Sequence, residues 1–327
     1  MMPDRLRLIF DPPVTAPETP GSWRSATTEP YLTGPLPAHL ANLTATGLVA
    51  RLTALTDSEA ADLVAFGALW LDDRPCLQPG LGLAGFQRFR FNPPAYGPVK
   101  FYEAEAGRIV YEDDDLLVYN KESGRPSQAV PHDAHNNVLS AVGRMLTARG
   151  GQPPRLWLCH RLDADTSGLL LMARTREAAG LLGRAFQQGQ VAKEYLALGL
   201  GPAPDQAPFQ VEAHIAKEGR RYVARAGGPG RVARTDFQVL DRAGHPAGQG
   251  LEQVLFRAAP RTGRTHQVRL HLAWAGWPLA GDRFYGRPEI EAVWPSPRLM
   301  LASAGLSFTH PRTGRPLVIR LAGDQPQ

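Results

Sequence analysis

At 327 residues, with 43% hydrophobic and 20% charged positions, the chain has the length and balance of a water-soluble globular protein with room for two domains. Lysine plus arginine outnumber aspartate plus glutamate by 36 to 31, a net charge of +5, which is compatible with a nucleic-acid partner without demonstrating one. Two well-separated cysteines, Cys76 and Cys159, match no zinc or redox spacing, and neither a basic-then-apolar leader nor a membrane-length apolar run is present, so the expectation is a cytoplasmic protein with reduced thiols and no membrane contact.

Residues 1–40 are rich in proline, threonine and glycine and read as an extension that wraps the surface or stays mobile. Residues 41–100 read as a small cap. Within it Ser58 is placed as a helix cap, the helix running to Phe66 with Gly67 as its stop. A strand at 68–71, an Asp72-Asp73 turn and a basic strand at 86–91 follow, and 92–100 reads as a linker. This order resembles the small RNA-binding α-L domain of many ribosome-associated proteins, although the basic helix face of that domain is thin here.

From residue 101 the pattern changes and a larger domain is expected to run to 327. A hairpin is predicted at 109–119, ending at Asn120-Lys121, and a helix at 137–148. After the stretch 160–168, the apolar run Leu169, Leu170, Leu171, Met172, Ala173 reads as a buried strand. Thr175 is placed as the cap of a helix whose apolar positions Ala178, Leu181, Leu182, Ala185 and Phe186 recur at helical spacing. A strand at 191–198 carries Lys193 and Tyr195. Four further strands between 211 and 258 predict an antiparallel meander, then a helix at 265–275 capped by Thr265, and closing strands at 306–308 and 317–321.

The chain centres on residues 160–168, His-Arg-Leu-Asp-Ala-Asp-Thr-Ser-Gly, a charged loop that runs directly into a core strand. Such a loop holds a reactive group rigidly at a cleft floor, which nominates Asp163. Asp163 and Asp165 form a DxD pair of the kind used for metal-assisted glycosyl transfer or by haloacid dehalogenase-type phosphatases. The latter reading fails on order: Thr166 falls one place early, and the apolar strand follows the pair instead of preceding it. A polar turn in which Asp163 caps nearby amides stays open on this stretch alone.

Other stretches decide between these. His160-Arg161-Leu162-Asp163, continuing to Thr166-Ser167-Gly168, resembles the central motif of RluA-type pseudouridine synthases. Lys193-Glu194-Tyr195 resembles the family's KxY strand. The segment from Gly263 through Arg264, Thr265, His266, Gln267, Arg269 and His271 to Gly281-Asp282 and Tyr285-Gly286 resembles its GRTHQIRxHL…GD…YG stretch. Arg298-Leu299-Met300-Leu301 resembles its final leucine motif, and the 109–121 hairpin its opening one. The resemblance covers about residues 107–322, in the family's order.

That resemblance implies a pseudouridine synthase fold: an α/β (α+β) catalytic domain on a mixed, mainly antiparallel sheet flanked by helices, beside a small N-terminal domain. It implies isomerisation of uridine to pseudouridine in structured ribosomal or transfer RNA by a monomeric enzyme without a cofactor, since breaking and remaking a glycosidic bond on one sugar needs no redox carrier or metal. Asp163 takes the role of nucleophile or base at the ribose, Arg269 that of its partner favouring the charged carboxylate, and Tyr195 that of a residue packed on the base. Leu301 supplies an apolar floor, and Arg161 fills the place of the displaced uridine. His160, Thr166, Arg264, His266 and Gln267 follow as substrate-binding positions, His160 reading as a structural hydrogen-bonding residue and not a catalyst. His266 and His271 stand off the i, i+4 spacing of paired metal ligands, which argues against zinc. Two departures from the family, Glu122-Ser123-Gly124 after Lys121 and Ala302-Ser303 after Leu301, are expected beside the substrate path. Arg220, Arg221, Arg225, Arg231 and Arg234 crowd a glycine-rich stretch and read equally as a phosphate track or a solvated hairpin tip. The alternative from another class is a non-catalytic RNA-binding protein that keeps the fold; joint presence of Asp163, Tyr195 and Arg269 argues against it. A glycosidase would need a second placed acid.

Overall fold

The structure, a computed structural model, describes residues 32–53, 55–92, 102–131, 133–150, 154–202, 208–219, 221–244 and 250–321. The expected extension up to residue 31, most of the 92–100 linker and the centre of the Pro-rich 201–208 loop lie outside the described residues. Two units are distinguished: a smaller one containing residues 32–105 and 126–154, and a larger one containing 106–125 and 155–321. The predicted helix in the 126–154 segment thus belongs to the smaller unit.

In the smaller unit the chain runs β1 (Leu32–Pro35), α1 (Ala45–Thr53), α2 (Asp57–Ala65), β2 (Leu69–Leu71), β3 (Arg74–Pro75), β4 (Arg88–Phe91) and α3 (Val138–Ala148). Its four strands pair in the order β1-β4-β2-β3. Leu48, Leu63, Leu69, Leu83 and Phe91 form the core, each almost fully buried, which contributes roughly 1.5–3 kcal/mol per side chain. The cap of α2 is Thr56, not Ser58: its hydroxyl accepts from the Glu59 amide while the Glu59 carboxylate accepts from the Thr56 amide. Asp72 and Asp73 make the expected turn with positive φ of 43° and 63°, and the Asp72 carboxylate accepts from the amides of Gln87 and Arg88. Neither β1 nor α1 was legible in the proline- and alanine-rich sequence before residue 54.

The larger unit contains β5 (Ile109–Glu112), β6 (Leu116–Lys121), β7 (Trp157–Leu158), β8 (Ser167–Ala173), α4 (Arg176–Gln187), β9 (Ala192–Gly201), β10 (Phe209–Glu218), β11 (Arg221–Arg225), β12 (Arg231–Gly244), β13 (Glu252–Pro260), α5 (Gln267–Trp274), α6 (Pro288–Val293), β14 (Leu301–Thr309) and β15 (Pro316–Arg320). Its sheet runs β11-β10-β12-β13-β9-β14-β8-β6-β5, with β15 on β14 and β7 on β8. All these pairings are antiparallel except β14 with β8. The fold is therefore the expected mixed, mainly antiparallel α+β arrangement.

β14 is the centre. Its second and third residues, Ala302 and Ser303, pair in parallel with Ser167 and Gly168 of β8, while Leu301–Ser303 pair on the other side with β9 at Ala197–Tyr195. This wedge brings the loop ahead of β8 beside Tyr195 and Leu301, although they are far apart in sequence. Gly168 makes the approach possible: its φ is +104°, and a Cβ there would lie 2.3 Å from the Ser303 carbonyl oxygen. β8 is buried along its whole length and packs Leu169 and Leu171 with Leu182 of α4 and Leu306 of β14. Thr175 caps α4 as expected, accepting from the Ala178 amide.

Candidate active site

The site is built from the turn before β8. Asp163 occupies a half-exposed position in that turn, where its carbonyl accepts from the Thr166 amide. The loop is held from beneath by the β6 terminus. Lys121 is fully buried, and its ammonium donates to the carbonyls of Glu122, Arg125 and Ala164 at 2.7–2.8 Å. Burial pulls the Lys121 pKa down to about 7 even though the nearby carboxylates of Glu122, Asp165 and Asp163 oppose the shift. The Ser123 hydroxyl donates to the Asp165 carbonyl, and the Gly124 amide donates to that of Ala164. The departure from the family at 122–124 therefore lies under the Asp163 loop and buttresses it.

Across from this loop, the turn after β13 leads into α5. Gln267 through Leu272 are all buried, so each polar side chain among them needs a partner inside the protein. Gln267 uses its whole amide: the oxygen accepts from the Thr262 hydroxyl and the Arg264 amide, and the nitrogen donates to the Arg234 carbonyl and the Thr235 hydroxyl. His271 pairs with Thr235 at 2.9 Å, and burial lowers its pKa to about 4. Arg269 makes a two-pronged contact with Asp282, at 2.8 and 2.6 Å, and keeps its third nitrogen 3.6 Å from the Asp163 carboxylate. Burial alone would weaken the guanidinium's hold on its proton; the hydrogen bonds and charge of Asp282, then the charge of Asp163, reverse this and raise its pKa. Asp282 also accepts from the amides of Phe284 and Tyr285.

The cap of α5 is His266 and not Thr265. His266 adopts a left-handed φ of 56°, a conformation that costs a side-chain-bearing residue of order 1 kcal/mol. Tyr285 holds it there, with its hydroxyl 2.7 Å from Nδ1, and this aims Nε2 at Asp163, 3.7 Å away. Burial lowers the His266 pKa first, with Arg269 adding to the shift and Asp163 opposing it.

One open cleft of about 450 Å³ gathers Arg161, Asp163, Thr166, Tyr195, Arg264, His266, Gln267, Arg269 and Leu301. Nine of the ten residues nominated from the sequence thus share one wall or floor. His160 does not. Its ring is stacked on Phe186 at 5.0 Å, its Nε2 accepts from the Leu171 amide, and burial, with a further contribution from Lys193, takes its pKa down to about 3. It is a neutral acceptor that ties the strand edge to the loop. Tyr195 faces the cleft from β9, its phenol pKa raised by burial and then by the Asp163 charge. The Leu301 side chain is buried at the floor, where its carbonyl accepts from the Ser167 hydroxyl.

The arrangement holds one carboxylate at a cavity, next to a rigid guanidinium, with an aromatic and an aliphatic surface beside it.

Residues 115–274 match the family described as RNA pseudouridylate synthase. Over 234 residues, 68% of each chain, the protein is 37% identical to the ribosomal large subunit pseudouridine synthase C of Escherichia coli. The chain belongs to the RNA pseudouridylate synthase family, and its relatives are of the RluA type. It is also 36% identical over 214 residues to synthase C of Vibrio vulnificus and 35% identical over 223 residues to synthase D of Nitrosomonas europaea. These two alignments span 64% and 62% of the relatives' own lengths. Among solved structures, human RNA pseudouridylate synthase domain containing 1 superposes with a TM-score of 0.52 at 26% identity, over 69% of this chain and 86% of that one. The human domain containing 4 gives 0.51 at 22% identity, over 65% and 87%, a likeness of fold.

Within the synthase family's frame, Asp282, Tyr285, Lys121 and Lys193 are the site-related residues that sequence reasoning left without a role. Each had a signal. A buried arginine needs a carboxylate, a lysine closing an apolar strand needs acceptors, and Lys193 shares a strand face with Tyr195 by the two-residue alternation.

Proposed function

We propose that this protein isomerises uridine to pseudouridine in structured RNA, ribosomal RNA first of all, with Asp163 acting at the ribose. The observation that carries the reading is the placement of the Asp163 carboxylate in an open cleft, 3.6 Å from a guanidinium that Asp282 fixes in place. The proposed division of roles follows the geometry. Arg269 and His266 orient the carboxylate, Tyr195 and Leu301 take the faces and edge of the uracil, and Arg161 occupies the space the uridine leaves. Flipping the nucleotide costs a few kcal/mol, which contacts to the base and the flanking backbone offset.

RNA is the partner this reading requires, and the names of the relatives from Escherichia coli and Vibrio vulnificus favour ribosomal RNA. We extend the proposal to a monomeric enzyme in the cytosol, where Cys76 and Cys159 remain as unpaired thiols. Among the described residues no helix is long and apolar enough to cross a membrane. In the smaller unit, exposed Arg74 and Arg88 on β3 and β4 are proposed to contact RNA backbone.

The test is to map pseudouridines in the host's RNA with and without this protein. Specific uridines should remain unmodified in its absence, regain modification with the wild-type chain, and stay unmodified with Asp163→Asn. An unchanged map on deletion would overturn the reading.

A further inference from the structure

The cleft holds more positive charge than Asp163 can balance. Arg269 is matched by Asp282 and Asp163. Lys193 and Arg264 line the same cleft, and neither meets a carboxylate within ion-pairing distance among the described residues. The Lys193 ammonium donates only to the Thr262 carbonyl at 3.3 Å, and the Arg264 Nε to the Val232 carbonyl at 3.2 Å.

Burial lowers the lysine's pKa and the charge of Arg264 lowers it further; Arg264 is affected in the same sense, by burial and then by Arg231. Crowding half-buried like charges with no counterion is unfavourable in an empty protein. The chain had carboxylates available. Strand alternation turns Glu194, the neighbour of Lys193, to the opposite face, where it pairs with Arg320 at 2.9 Å and lies 3.6 Å from Arg257. Nearby arginines outside the cleft are neutralised: Arg234 by Glu212, Arg225 by Glu218 and Arg261 by Asp236. Arg225 and Arg234 of the hairpin are thus paired at the surface, while Arg231 acts on Arg264 and Arg264 on Lys193 in the cleft.

We propose that Lys193 and Arg264 form a phosphate subsite that grips a backbone phosphate flanking the target nucleotide, the missing counterion arriving with the substrate. The proposal rests on the reading of the cleft as a uridine isomerase and names what anchors the strand there. Lysine supplies a compact point charge and arginine a planar fork, a combination suited to one phosphate held in register.

The experiment uses the full chain, with ribosomal RNA extracted from cells lacking the protein as the probe. Lys193→Met should raise KM about tenfold, leave most of the loss out of kcat, and make the dependence of log kcat/KM on log salt shallower by roughly 0.7–0.9, the value for one phosphate contact. Lys193→Arg should restore the slope. Arg264→Gln, an independent variant, should show the same shallower slope. Without RNA, Lys193→Met should unfold at the wild-type temperature or a few degrees above it, because an uncompensated charge has been removed; a structural lysine would lower it. A wild-type salt slope in both neutral variants, or a loss confined to kcat, would overturn the subsite. If the wild-type chain forms no pseudouridine, the isomerase reading fails instead, while the salt slope of RNA binding by the same variants still decides the subsite.

Discussion

Asp163 and Asp113 lie in the same unit and each faces a histidine, yet they are held in opposite ways. Asp113 has every acceptor position taken. Its Oδ2 accepts from the Tyr111 hydroxyl at 2.6 Å and lies 2.8 Å from His310 Nε2, and its Oδ1 accepts from the amides of Asp115 and Leu116. Burial pushes its pKa up, but the hydrogen bonds from Tyr111, His310 and the two amides overcome this and bring it down to about 2. Next to it, Arg312 pairs with Asp115. The Asp163 carboxylate accepts no hydrogen bond among the described residues, and Arg269 and His266 stand back at 3.6 and 3.7 Å.

Donor atoms of Asp113, Asp115 and His310 fall within 4.8 Å of one another, so proximity alone would nominate that corner as a metal centre. Its oxygens are already engaged by the protein. A carboxylate fully satisfied by its own fold stabilises that fold; one that is oriented but unsatisfied is available to a substrate. The difference is one of hydrogen-bond occupancy and not of residue type.

Substitutions can break or sharpen this contrast. The largest effect is expected from Asp163→Asn: turnover down by about 10³-fold or more, with unfolding free energy within about 0.5 kcal/mol of wild type. Single-turnover assays and denaturant melts check both halves, and a stability loss with turnover intact would invert the comparison. Asp282→Ala should cost roughly 3–5 kcal/mol, since it strands the buried Arg269 charge and two backbone amides, and should reduce turnover as well.

Asp113→Asn should cost about 1–2 kcal/mol and spare turnover. Its pH signature follows from a folded pKa of about 2, below the ordinary 3.8. The contribution is fully present above the ordinary value and is lost as pH falls through about 2, so melts of variant and wild type should converge in that window. Convergence at higher pH would show the carboxylate to be less well satisfied than its geometry indicates. Smallest is Arg312→Ala, whose denaturant midpoint should stay close to that of the wild type, because its side chain is 57% exposed and the pair is screened.

Much of the fold was legible because its elements follow local rules. The 3.6-residue spacing and Thr175 gave α4, the apolar run gave β8, and α5 ends at Trp274, one residue from the expected 275. The misplaced boundaries share a cause. Ser58 and Thr265 are plausible caps by residue type, but Thr56 has Glu59 to complete a capping box, and His266 is fixed as the cap by Tyr285, nineteen positions away. Short or proline-bearing elements such as β1 and α6 lack enough residues to show a period.

The site divides along the same line. Sequence by itself nominated Asp163 and the residues of its cleft, because a charged loop entering a core strand and motifs in a fixed order are one-dimensional features. Which polar groups remained available was decided by tertiary structure alone. His160 and Gln267 stand inside the motifs, but folding uses the acceptor of one and the whole amide of the other within the protein. Asp282 and Lys121 acquired their places only when α5 and β6 closed on the Asp163 loop. Hydrogen-bond satisfaction in a buried site is a sum over neighbours that sequence separation does not reveal.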